Sequence, residues 1–69
     1  MRTQYQIKKR TAREVQTLLV LNCTQYQAQR VATALSYVYT QTDAHALELC
    51  VGVGEFEKCI ARWTYKGVA

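Results

Sequence analysis

Nucleophilic or acid–base chemistry needs a reactive side chain, a base within reach and a third group that orients them. The residues able to enter such a set are Ser36, His45, the thiols Cys23, Cys50 and Cys59, and five carboxylates. His45 stands two residues from Asp43, which suits a polar surface pair better than a catalytic dyad, and the acids show no paired spacing. Gly52-Val53-Gly54 lacks the third glycine and the following helix of a phosphate loop and reads instead as turn chemistry. The inventory predicts a non-enzymatic protein with no cofactor. A metal set of His45, Cys50 and Cys59 falls in one region of a hairpin. However, His45 and Cys50 differ in strand parity, and four-ligand zinc sites usually use closely spaced pairs, so no metal site is expected. Three cysteines without a CxxC pair predict reduced thiols and a cytoplasmic setting. An internal Cys50–Cys59 bridge would require an oxidising compartment or a redox role.

Charge offers a clearer signal than reactive groups. The chain has a net charge of +4, and its two parts differ. Residues 1–42 carry Arg2, Lys8, Lys9, Arg10, Arg13 and Arg30 against Glu14 alone, whereas residues 43–69 carry Lys58, Arg62 and Lys66 against Asp43, Glu48, Glu55 and Glu57. Such asymmetry suits an anionic partner, and it equally suits a solvated basic face. Tyr5, Tyr26, Tyr37, Tyr39, Trp63 and Tyr65 offer rings on which bases could stack. Trp63, Tyr65 and Tyr39 fall at positions predicted to pack, while Tyr26 and Tyr37 are free for a partner. No ribonucleoprotein-type aromatic motif is present.

The scaffold for these side chains follows from periodicity. With 69 residues, 49% hydrophobic and 20% charged, the sequence predicts one folded domain over 1–69. Its core is small enough that a homodimer is an open option. The longest apolar run, Leu18-Leu19-Val20-Leu21, is far too short to span a bilayer, so no membrane partner is expected. Thr24 is placed to cap a helix that runs to about Thr40. Ala28, Val31, Leu35 and Val38 form its apolar stripe, widened by Ala32 and Tyr39, with Gln25, Gln29, Arg30, Thr33 and Ser36 elsewhere. Residues Arg2 to Lys9 alternate as a half-buried strand. Residues 14–22 fit a strand or a helix, and the β-branched, compact apolar run favours a strand. Leu47, Leu49 and Val51 alternate ahead of the turn at Val53-Gly54-Glu55. That loop puts them on one face with Cys59, Ala61, Trp63 and Tyr65, leaving Glu48, Cys50, Lys58, Ile60, Arg62 and Thr64 opposite. A helix over 55–66 is the alternative. The expected architecture is α+β: a small antiparallel sheet in the order β-β-α-β-β with one amphipathic helix on one face. Its core is predicted to comprise Ile7, Leu19, Leu21, Val31, Leu35, Val38, Leu47, Leu49 and Trp63.

The stretch Arg13-Glu14-Val15-Gln16-Thr17-Leu18-Leu19-Val20-Leu21-Asn22-Cys23-Thr24-Gln25-Tyr26 resembles the first helix and turn of excisionase-type DNA-binding domains. It covers about a third of the chain, and Gln16 and Val20 replace that family's small residue and turn glycine. The resemblance implies the alternative fold, a helix-turn-helix with a β-hairpin wing. Taken together, the residues predict a small basic binding module that engages nucleic acid or a nucleoprotein, as regulators from phage and mobile elements do. A protein target is the alternative, in the manner of small phage proteins that inhibit host defence complexes. The partner-binding residues expected on either reading are Lys8, Arg10, Arg30, Lys58 and Arg62.

Overall fold

The computed structural model describes residues 3–42, 45–52 and 54–65. Asp43, Val53, Arg2 and Lys66, which entered the reading above, lie outside the described residues. The chain forms β1 (Thr3–Thr11), β2 (Val15–Cys23), α1 (Gln25–Tyr39), β3 (His45–Val51) and β4 (Lys58–Thr64), with a 3₁₀ turn at Gly54–Phe56. The sheet order is β2-β1-β3-β4, and every neighbouring pair is antiparallel. This is an α+β fold. Residues 15–23 are paired strand, so the helix-turn-helix alternative is set aside, and β4 replaces the alternative helix over 55–66.

Local chemistry accounts for the elements. Thr11 closes the first hairpin: its amide donates to Glu14 O at 2.9 Å, and its Oγ1 accepts from the amides of Arg13 and Glu14 at 3.3 and 3.2 Å. Thr24 caps α1 as expected. Its Oγ1 accepts from Gln27 N at 3.3 Å, while Gln27 Oε1 accepts from Thr24 N at 3.2 Å, so two amides that the first helical turn leaves free are satisfied reciprocally. Gly52 (φ +97°) can only be glycine in this backbone, because an added Cβ would sit 2.5 Å from the carbonyl oxygen of Phe56.

The helix lies over the central strands β3 and β1. Ala28, Ala32 and Ser36, one row at four-residue spacing, are buried at the closest approach, and Val31, Leu35 and Tyr39 flank them. The expected stripe is therefore corrected at two positions. Val38 is 62% exposed, and Ser36, assigned to the polar side, is 6% exposed. Small side chains let the helix backbone approach the sheet. The Ser36 hydroxyl donates to Thr33 O at 2.6 Å within its own helix, so burying it leaves no unpaired group. Ile7, Leu47 and Leu49 are fully buried as expected, with Leu21, Val31, Leu35 and Trp63 packed around them. Leu19 is 39% exposed, contrary to expectation, because the helix barely reaches edge strand β2.

Each edge strand also contains a register shift. Ile7 pairs with Leu19 but Lys8 with Thr17, leaving Leu18 as an extra residue; Leu49 pairs with Ala61 but Cys50 with Cys59, leaving Ile60. The second shift corrects the hairpin register. Cys59 opposes Cys50 instead of joining the core row, Ile60 packs against the core, and Lys58 opposes Val51.

Leu49→Ala should cost about 2–5 kcal/mol in urea denaturation, as large-to-small core changes do. Val38→Ala should stay within about 0.5 kcal/mol of the parent. Equal losses at the two positions would show that the buried face of α1 runs through Val38.

Candidate binding face on the open side of the sheet

Strand alternation sends Tyr5 and Ile7 toward the helix and places Gln4, Gln6, Lys8 and Arg10 on the other face, which no helix among the described residues covers. The register then aligns Lys8 with Glu48, Arg10 with Ala46 and Glu48 with Arg62. Three cations from the two strands flanking β3 are thus gathered around one strand. Lys8, Arg10 and Arg62 occupy the face predicted for them.

Carboxylates organise this face. Glu48, 6% exposed, accepts from Arg10 Nε at 3.1 Å, and Arg62 Nε lies 3.9 Å from the same oxygen. Both guanidinium side chains stay about half exposed, at 47% and 54%. With Nε turned inward, the planar fork keeps its terminal N–H groups available for an outside acceptor. Lys8 Nζ contacts Glu57 Oε1. That buried oxygen has no aligned hydrogen-bond donor, so the pair is held by charge. Three positive groups therefore share the face with two negative ones.

The other two expected binding residues lie elsewhere. Arg30, on the exposed side of α1, stacks over the Tyr26 ring at 5.8 Å. Lys58, moved by the register shift, opposes Val51 rather than joining Arg62. Lys9, from the helix side of β1, lies 5.9 Å from the Tyr39 ring. Strand parity placed Glu48 on this face together with Arg62 but gave neither its burial nor its arginine partners; Glu57, in a connection, gave no signal.

Cys50 and Cys59 lie on the same open face as Glu48. One donor atom from each of Glu48, Cys50 and Cys59 falls within 4.8 Å of the others. These are the described side chains that could share a metal ion, although Glu48 is already engaged by two arginines. His45 stands apart from them at the far end of β3, where Nδ1 lies 2.8 Å from Thr42 Oγ1. Burial pushes the Cys50 thiol up to about 11; Cys59, Glu57 and Glu48 add to the rise and Lys8 opposes it. On the helix side, an open groove of about 380 Å³ runs between α1 and β4, lined by Thr33, Ser36, Tyr37, Thr40, Trp63 and Tyr65 among others.

No helix among the described residues is long and apolar enough to cross a membrane. No protein-family model, characterised protein or solved structure matches this chain.

Removing both arginines around Glu48 leaves a buried carboxylate without a donor. Arg10→Ala combined with Arg62→Ala should lower stability by about 1–3 kcal/mol, and adding Glu48→Gln should recover part of the loss. Additive behaviour of the three changes in thermal melts would show that Glu48 does not depend on the pair.

Proposed function

We propose that this chain is a non-catalytic binding module whose open sheet face engages the phosphates of a nucleic acid or nucleoprotein. The observation that carries this reading is the cluster of Arg10 and Arg62 around Glu48, with Lys8 beside it on Glu57. Glu48 holds Arg10 by a hydrogen bond from its inner nitrogen and keeps Arg62 Nε at 3.9 Å by charge. Their outer donors remain free to grip phosphate oxygens, a geometry in which arginine outperforms lysine. Gln4, Gln6 and Thr17 on the same face can donate to sugar or phosphate, contacts that position a duplex without reading its sequence. Because Glu48 and Glu57 cancel part of the charge, the expected affinity is moderate and strongly dependent on salt.

A protein target is the second reading, and it rests on the outer side of α1. Tyr26, Tyr37 and Val38 are 68%, 76% and 62% exposed along that helix, large apolar side chains that a protein partner could bury.

The test is titration of the purified chain with random-sequence duplex DNA and with RNA across a salt series. Arg62→Gln should weaken binding and reduce the slope of log K against log salt by roughly one unit. Arg30→Gln and Lys58→Gln, off the face, should change the slope by much less. Absence of salt-dependent binding to either nucleic acid would overturn this reading and leave the Tyr26/Tyr37/Val38 surface as the docking site.

A further inference from the structure

Cys50 and Cys59 oppose each other across β3 and β4, and their sulfurs lie within 4.8 Å. Directly opposed residues of antiparallel strands have Cα atoms about 4.5–5.5 Å apart, inside the roughly 4.4–6.8 Å range that a disulfide spans. The two thiols differ sharply in access: Cys59 is exposed and Cys50 is buried. Cys23 is on β2, two strands from Cys50 and three from Cys59, and its partner Thr3 is three residues along β1 from the partner of Cys50, Gln6, so it lies well beyond about 10 Å from the pair.

We propose that Cys50 and Cys59 form a cross-strand dithiol that a low-molecular-weight disulfide oxidises to an intramolecular bond. The exposed Cys59 thiolate attacks one sulfur of the oxidant, releasing one small thiol and forming a mixed disulfide. The Cys50 thiol then loses its proton to solvent, and its sulfur attacks Cys59 Sγ. The Sγ–oxidant bond breaks and the second small thiol leaves. The protein gives up two electrons and two protons, and one oxidant disulfide becomes two thiols. Cys50 is the slow partner, because burial disfavours its thiolate. Closure therefore accelerates as pH rises, by roughly tenfold per unit while Cys50 stays mostly protonated. Neither step depends on what the open face binds.

The reduced protein is incubated with glutathione disulfide, quenched with acid, alkylated and mapped by mass spectrometry. Two thiols should disappear into a Cys50–Cys59 link while Cys23 remains alkylated, and the melting temperature should rise by roughly 10 °C. Cys59→Ser, a change at an exposed site, should leave Cys50 unmodified. Cys50→Ser should stop at a single glutathione adduct on Cys59. Cys50 that stays free in the wild-type chain at equilibrium, beside a stable adduct on Cys59, would overturn the proposal. So would three free thiols at equilibrium, and a melting shift when Zn²⁺ alone is added to the reduced protein would then assign the donors to a metal.

Discussion

The structure depends on burying β3 on both faces. Residues Ala46 to Cys50 are all buried, yet the only helix among the described residues covers one side of the sheet. Leu47 and Leu49 meet that helix together with Ile7. Ala46, Glu48 and Cys50 face the other way, and their cover comes from long side chains on the flanking strands. A strand buried twice by such different means sets the character of each face. One is a packed apolar layer; the other is a shell of charged groups whose aliphatic stems shield the backbone.

That constraint explains why the open face is organised rather than merely basic. A carboxylate at position 48 is withdrawn from water and must be met by donors, so Arg10 and Arg62 are drawn to it from opposite sides. Held inward, the two side chains also have less rotamer freedom than unpaired arginines. The same withdrawal from water makes Cys50 a reluctant thiolate, whereas Cys59 on the sheet edge stays accessible. Electrostatic and thiol chemistry on this face are thus two consequences of one buried strand.

Much of this could be read from residue order. The alternation of Tyr5 and Ile7 with Gln4, Gln6 and Lys8 gave β1 its faces, and Thr24 marked the helix start because its hydroxyl satisfies a local need. Those signals are short in range. Val38 and Ser36 were misplaced because hydrophobicity was used to choose the stripe, whereas close helix–sheet approach selects for small size. Leu19 was misplaced because its exposure depends on how far α1 extends across the sheet, which no property of β2 encodes. Glu48 was placed on the correct face, but its burial required knowing the side chains of three strands together.

The largest departures trace to the paired irregularities on the two edges. Ile7 and Leu49 are register partners in the centre of the sheet, and beside each the adjoining edge strand carries one extra residue, Leu18 on β2 and Ile60 on β4. Both extra residues are apolar and pack against the core. At the level where the central strands place their fully buried side chains, each edge therefore supplies apolar cover that strict alternation would not provide. The cost is loss of period two, which reverses parity beyond each shift. This is why Leu18-Leu19-Val20-Leu21 fits a helix as well as a strand, and why Lys58 and Cys59 exchange the faces that simple alternation assigns them. The same shift that removes Lys58 from the basic cluster brings Cys59 opposite Cys50. A packing solution in the small core thus decides which cations and which thiol stand on the open face.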